Sequence, residues 1–397
     1  MSDRRPLPIL AGVSGQPIAD RPGLSGLLPG DLSAWVESQG HPPYRARQAA
    51  DFLWRRHAAD VAGMRTLPAA LRGALAASYR ADTLAETVVR PADAGLTEKA
   101  LHTLADGRLI ESVLMRYPGR PGRRDRATVC ISSQAGCAVG CPFCATGELG
   151  FGRDLDTAEI VDQVRFWARH LAGEGRHVTN VVFMGMGEPL LNADAVIASA
   201  RALVDPARFG LGGRHLTIST SGVIPGIERL TALRPPWTLA VSLHAARPSL
   251  RDVLVPLNRR YPVRDVVEAA TAYGTATGRR VSYEYVMIEA INDTAADAEA
   301  LAALLRGRLA HVNLIPMNPV AHTPWRPSTR ERIDAFARAL DEAGVPVTVR
   351  RNRGEEIGAA CGQLAAEQAG APAPSAVLRR RERLEREGAA ALAGGNG

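Results

Sequence analysis

The chain has 397 residues, of which 46% are hydrophobic and 22% are charged, and its formal net charge is +7. This composition excludes a chain that is disordered throughout, and the lack of an apolar run of 18 or more residues argues against a transmembrane helix. The arginine excess permits a polyanionic partner, but a high-GC codon bias would produce the same excess, so charge alone is a weak indication of nucleic acid.

The first 125 residues divide into three patterns. Residues 1–30 are rich in Pro, Gly and Asp and lack the apolar stretch of a signal sequence, which predicts a flexible leader and a cytoplasmic protein. Apolar residues at three- and four-residue spacings predict a helical accessory domain over residues 31–85, and alternation predicts a β-ribbon linker over residues 86–125. Four arginines of the helical segment either face phosphate or form a solvated helix face: Arg45, Arg47, Arg55 and Arg56.

From residue 126 onward, short β-branched runs alternate with amphipathic helical patterns. The predicted strands are 129–132, 178–184, 216–220, 239–243, 281–288, 311–315 and 347–349. The predicted helices include 158–171, 263–273, 295–305 and 333–343. These units indicate an α/β fold over residues 126–368, with a parallel sheet that is either doubly wound or closed as a barrel. Function is then expected at the carboxyl ends of the strands, and residues 369–397 are predicted to be a disordered tail.

Three cysteines follow the first of these predicted strands, at Cys137, Cys141 and Cys144. A [4Fe–4S] cluster usually takes four cysteine ligands, so three thiolates would leave one iron open to an exogenous ligand. A zinc site would need a fourth ligand, usually from a second C-x2-C pair, which the chain lacks. The spacing therefore favours an iron–sulfur site over zinc or structural cysteine.

Small polar residues follow four of the other predicted strands. Glycines allow a close approach of the backbone to a ligand, and a carboxylate can accept a hydrogen bond from an amino group. Each group by itself is equally consistent with turn chemistry. Together these segments, residues 184–189, 219–222, 242–244 and 313–318, predict a ring of small polar groups that could hold ribose and methionine atoms.

The cysteine spacing resembles the signature of the radical S-adenosylmethionine (SAM) enzymes. Together with residues 134–137, 150–153 and 359–364, the polar segments resemble one branch, the RlmN/Cfr family of RNA adenine methyltransferases, over about residues 33–364. The resemblance implies a partial (βα)6 TIM-like barrel with a small N-terminal helical domain. It also implies a [4Fe–4S] cluster on the three cysteines. The resemblance further implies SAM contacts at seven residues, which we call the polar ring: Gly187, Glu188, Ser219, Ser242, Leu243, His244 and Asn318.

Two cysteines remain, Cys130 and Cys361. Both could be buried small hydrophobes. The resemblance implies instead that Cys361 is methylated by SAM, and that Cys130 removes a proton from the adenine ring and then attacks the Cys361 sulfur, forming a transient disulfide. Glu111 matches the family's proton acceptor, although an exposed strand carboxylate explains this residue equally well.

The implied function is methylation of carbon 2 of adenine in 23S rRNA, and also in tRNA. The implied partners are these RNAs and an electron donor such as a flavodoxin, and we expect a monomer without a membrane association. Three alternatives stay open on sequence alone. They are methylation of carbon 8, a glycyl-radical activase that would need neither Cys130 nor Cys361, and a non-catalytic iron–sulfur module that binds RNA.

Overall fold

The computed structural model describes residues 20–119, 122, 124–320, 323–350, 382–384, 386, 387 and 390. Three helices precede the sheet: α1 (Pro29–Ser38), α2 (Tyr44–Trp54) and α3 (Ala69–Ser78). Each buries an apolar stripe at helical spacing, as Leu71 and Leu75 do in α3. Helices therefore form where the apolar spacing predicts them.

One mixed sheet contains ten strands of the described residues. They are β1 (Leu84–Ala92), β2 (Thr97–Leu104), β3 (Leu109–Tyr117), β4 (Arg126–Cys130), β7 (Asn180–Phe183), β8 (Leu216–Thr220), β9 (Thr238–Ser242), β10 (Val281–Met287), β11 (Ala310–Pro316) and β12 (Val347–Val349). Their spatial order is β1-β2-β3-β4-β7-β8-β9-β10-β11-β12. A second, two-stranded sheet joins β5 (Gln134–Gly136) to β6 (Phe151–Asp154).

Strands β4 and β7 to β12 are all parallel, and each coincides with one of the seven predicted runs. The intervening helices are α4 (Ala145–Leu149), α5 (Thr157–Ala172), α6 (Ala193–Val204), α7 (Ile224–Leu233), α8 (Pro248–Leu254), α9 (Val263–Thr277), α10 (Ala295–Leu305) and α11 (Arg330–Glu342). Over the described residues the sheet runs from one edge to the other without closing, so the predicted α/β fold with a partial barrel is confirmed. None of these helices combines the length and apolar character needed to cross a bilayer.

The alternating segment before β4 continues the main sheet. Strands β1, β2, β3 and β4 pair in antiparallel fashion, so this segment extends the parallel sheet at its β4 edge. The outer face of β2 and β3 packs on α5, where the Trp167 Nε1 donates to Ser112 Oγ at 2.7 Å. The inner face of the same strands is thereby turned away from α5.

A buried polar network connects the N-terminal segment to α5. Asp162 is fully buried, and its carboxylate accepts hydrogen bonds from Ser25 Oγ at 2.7 Å and from the Thr83 backbone at 2.9 Å. Its partner Arg165 is also fully buried and donates to the carbonyls of Leu53 and Ala81. Residues 20–30, which the sequence assigns to a flexible leader, therefore include a segment that is packed in the core. Nothing in the sequence indicates this packing, because the segment lacks an apolar run and is anchored by the hydroxyl group of Ser25.

The Asp162→Ala substitution should destabilise the fold strongly. Removal of one partner of a buried ion pair leaves the other charge uncompensated, and this costs about 3–5 kcal/mol. The free energy of unfolding in urea measures the effect. The matched control is Asp334→Ala, which breaks the exposed pair with Arg330 and should cost less than about 1 kcal/mol. Equal losses in the two variants would contradict the structural role of Asp162.

Candidate active site

The cysteine loop is built on the small β5–β6 sheet, which fixes both ends of the segment between them. The Cys137 N–H donates to the Gly150 carbonyl at 2.8 Å, and the Cys144 N–H donates to the Cys141 carbonyl at 3.1 Å. The loop is tight, because a Cβ at Gly147 would lie 2.8 Å from the Cys141 carbonyl oxygen. The three predicted ligands are therefore held on one compact turn beside the sheet.

The chemistry of these thiols fits a bound cluster. Burial raises the pKa of Cys137 to about 12, and it raises the pKa of Cys141 well above the usual value, with neighbouring Cys144 adding to both effects. Metal binding must then displace protons from these thiols.

Gly187 and Glu188 follow β7 at the carboxyl edge of the sheet. Gly187 has φ +100°, and a Cβ there would lie 2.6 Å from Gln134 Cβ, so the position requires glycine both for its conformation and for its space. The Glu188 N–H donates to Gln134 Oε1 at 2.8 Å, and the Glu188 carboxylate accepts from Ser221 N and Ser221 Oγ, both at 2.7 Å. Burial raises the pKa of Glu188, and the bonds from Ser221 oppose this.

His244 joins the end of β9 to the cysteine loop. Its ring packs edge-on against Phe143, which lies between Cys141 and Cys144, with ring centroids 4.8 Å apart. Its Nδ1 accepts a hydrogen bond from the Val286 N–H at 3.0 Å, so the proton of the neutral ring is on Nε2. Burial, helped by the nearby Arg251, lowers the pKa of His244 to about 3 and keeps the ring neutral.

The other predicted contacts lie at the same edge. Ser219 is a buried residue of β8, Ser242 ends β9, and the Leu243 N–H donates to the Glu284 carbonyl at 3.0 Å. Asn318 is half-buried and follows β11 by two residues. The parallel sheet therefore gathers all seven residues of the predicted ring at one edge.

Arg251, on α8, is a residue that the sequence did not single out. It is completely buried, and its guanidinium donates to the carbonyls of Ser221 at 2.7 Å, Leu243 at 3.0 Å and Ser242 at 3.3 Å. Burial lowers its pKa to about 10, so it stays charged at neutral pH. Arg251 thus fixes two of the strand-end loops and places a cation near Cys141, whose pKa it lowers. In the sequence, its role was indicated only by the presence of an arginine inside a short apolar helix.

Cys130 and Glu111 lie on one face of the sheet. Cys130 ends β4 directly opposite Val113 of β3, and Glu111 is two residues before Val113. Directly opposite residues share a face, and so do residues two apart on one strand. Glu111 and Cys130 are therefore diagonal neighbours, which lie about 7–8 Å apart in such an arrangement, with their Cβ atoms somewhat closer. Glu111 is 2% exposed and pairs with Lys99, so the interpretation of an exposed strand carboxylate is wrong. Cys361 lies outside the described residues.

Comparison with known proteins identifies the family. A model of the radical SAM superfamily matches residues 131–305. A probable dual-specificity RNA methyltransferase RlmN of Frankia alni is 51% identical over 340 residues, which are 83% of this chain and 80% of the relative. The corresponding protein of Thermobifida fusca is 50% identical over 86% of this chain and 94% of its own. The chain belongs to the RlmN family.

A solved structure supports the same assignment. The crystal structure of a radical SAM methyltransferase from Sphaerobacter thermophilus has a TM-score of 0.82 and 45% identity, and the match covers 86% of this chain and 98% of that one. As a member of the RlmN family this protein is a radical SAM enzyme, and its cofactors are a [4Fe–4S] cluster and SAM. The three cysteines of the loop are the residues suited to hold the cluster, and the polar ring is suited to hold SAM.

Alanine at Cys137, Cys141 or Cys144 should abolish cluster binding, because three protein ligands leave no spare thiolate. Anaerobic reconstitution followed by iron and sulfide analysis measures the loss. Cys130→Ala is the matched control, since it removes a buried thiol that is not part of the loop. Retention of a full cluster in all three loop variants would contradict this ligand set.

Gly187→Ala should abolish SAM binding, because the new Cβ meets Gln134 and deforms the loop that carries Glu188. Equilibrium dialysis with SAM on the reconstituted enzyme measures this effect. Gly175→Ala is the control, because Gly175 also has a positive φ, of +68°, but a Cβ there meets no atom within 4 Å. Equal SAM affinity in the two variants would contradict a role for the Gly187 loop.

Proposed function

We propose that this enzyme methylates carbon 2 of adenine in 23S rRNA and in tRNA, through an S-methylated Cys361 and a transient protein–RNA adduct. The observation that carries the proposal is the position of Cys130, at the end of β4 on the face that also bears Glu111. The family assignment supports an RNA substrate, since the relatives are named as dual-specificity RNA methyltransferases. The enzyme is proposed to act in the cytoplasm as a monomer, with an electron donor such as a flavodoxin.

Carbon 2 of adenine offers no electron pair for attack on a methyl cation, so polar methyl transfer to it is disfavoured. When bound, the cluster and SAM supply the methyl group and, by reductive cleavage of a second SAM, a radical that abstracts hydrogen. The role of the chain is then to hold the methyl carbon on Cys361 and to release it after it has bonded to the adenine.

Release requires a second thiol. The adduct radical returns one electron to the electron donor and gives its ring proton to Cys130, which passes a proton to Glu111. The Cys130 thiolate then attacks the Cys361 sulfur. The S–S bond forms while the bond from that sulfur to the methylene carbon breaks, and the electron pair stays on the carbon, which takes up a proton to become the product methyl group. An external thiol reduces the disulfide before the next turnover. A thiolate is the reactive form, so a nearby carboxylate base favours this step.

A basic cleft supports the proposed RNA substrate. Its volume is about 1100 Å³, and it lies between α2 and the amino ends of β4, β7 and β8. Among the described residues that line it, Asp125 is the single acid, against six arginines: Arg55, Arg56, Arg124, Arg126, Arg176 and Arg208. Clustered cations of this kind bind phosphates without reading the base. The opposite edge of the sheet holds the polar ring, so the cleft would contact RNA away from the target adenine.

The proposed function predicts specific products. Anaerobically reconstituted enzyme, given SAM, a reductant and a fragment of 23S rRNA or a tRNA, should form 2-methyladenosine, detected by mass spectrometry of the digested RNA. Cys361→Ala should form none. Cys130→Ala should form less product and accumulate a protein–RNA adduct that survives a denaturing gel.

Other results would select a different function. Formation of 8-methyladenosine would show that the enzyme methylates carbon 8. Normal turnover by Cys130→Ala would show that this thiol does not resolve the adduct. SAM cleavage with unmodified RNA and insensitivity to both cysteine substitutions would instead favour a glycyl-radical activase.

A further inference from the structure

Lys99 is the single lysine among the 48 Lys and Arg residues of the chain, and all the others are arginines. Arginine therefore suffices wherever this protein needs a cation elsewhere. Lys99 is also buried, with 1% of its side chain exposed, in the middle of β2. A buried charge is costly unless it has a specific partner, so this exception calls for a chemical explanation.

The sheet register aligns Lys99 with the two proposed reacting residues. Lys99 lies directly opposite Val113, and Val113 lies directly opposite Cys130, so the three residues form one row across β2, β3 and β4. Glu111 is two residues from Val113 on the middle strand, which makes it a diagonal neighbour of both ends of this row. The Lys99 Nζ lies 3.0 Å from Glu111 Oε2. The carboxylate therefore contacts an ammonium and shares its face of the sheet with the Cys130 thiol.

This face of the sheet is the one that meets the site. Leu101 and Leu109 share the face with Lys99 and Glu111, and they pack in one cluster with Met186 and Leu149. Met186 belongs to the loop of Gly187 and Glu188, and Leu149 ends α4 in the cysteine loop. The opposite face of β2 and β3 carries His102 and Ser112 and packs on α5.

An ammonium and a guanidinium hold a carboxylate differently. Guanidinium usually engages both carboxylate oxygens through two parallel hydrogen bonds, whereas an ammonium is a compact point charge that does not require both. Lysine thus combines a charge that pairs with Glu111 with a head group that need not occupy the whole carboxylate.

We propose that Lys99 is a positioning residue, which holds Glu111 as a carboxylate beside Cys130 so that Glu111 can take up the proton of the Cys130 thiol. The step converts the thiol and the carboxylate into a thiolate and a carboxylic acid, while Lys99 keeps its protons. This inference rests on the proposed function, because it assigns Lys99 to the step that resolves the protein–RNA adduct.

The decisive variant is Lys99→Met, which keeps the length of the side chain and removes its charge. Product formation should fall at least about tenfold, the lower end of what loss of a general base costs, while KM for RNA changes by less than about threefold. Adduct should accumulate, as in Cys130→Ala, because methylene transfer precedes the affected step. Formation of 5′-deoxyadenosine in the first turnover should stay within about twofold of wild type, since the affected step follows it.

Two further variants separate charge from folding. Lys99→Arg keeps the charge and should recover more product than Lys99→Met. The double variant Lys99→Met/Glu111→Gln buries no unpaired charge, should fold well, and should resolve adduct no faster than Glu111→Gln alone. If the double variant turned over as fast as wild type, neither residue would be needed for the step.

The matched control lies on the other face of the same two strands. Arg116 pairs with Glu98 at 2.5 Å and is largely buried, so Arg116→Met should lower thermal stability without accumulating adduct. The proposal is overturned if Lys99→Met behaves like this control, losing product only in proportion to the folded fraction. Cys130→Ala separates a failure of the Lys99 role from a failure of the proposed function. If Cys130→Ala traps adduct and Lys99→Met does not, only the role of Lys99 fails. If neither variant traps adduct, the proposed function fails.

Discussion

Parallel pairing of β4 and β7 to β12 is the constraint on which the site depends. Parallel strands present their carboxyl ends at one edge, so residues far apart in sequence, such as Glu188 and Asn318, arrive in the same region without any long connection. The loops that leave this edge would otherwise carry unpaired backbone carbonyls. Arg251 binds three of these carbonyls from inside the core, and the loops of β8 and β9 are thereby fixed to each other.

The interior of the site holds several charged or titratable groups that are shielded from water. Each has a specific partner: Ser221 for Glu188, backbone carbonyls for Arg251, and Glu111 for Lys99. Electrostatic interactions are stronger where water is excluded, and the free-energy cost of leaving a buried charged group unpaired is higher there too. The arrangement is therefore typical of a site that binds a charged cofactor.

Much of the fold and of the site was predictable from the sequence. Strand positions follow from β-branched runs such as 216–220, and the compact loop of Cys137, Cys141 and Cys144 follows from their spacing, because both signals are local. Arg251 and the Lys99–Glu111 pair were not predictable, because their roles depend on which strands are neighbours and in which register. The buried Ser25 was missed for a related reason, since its partner Asp162 is 137 residues away.

Strand β3 runs against the direction of β4 and the other parallel strands, and this reversal has a consequence for the proposed reaction. Glu111 stands near the beginning of β3, so reversal brings it toward the edge at which the parallel strands finish. A central strand is a rigid support, so Glu111, the proposed proton acceptor, cannot move toward a nucleotide that remains stacked in its helix. The RNA would then have to extrude the adenine, and the free energy of unstacking is lowest where the adenine is already weakly stacked. This favours such sites as targets.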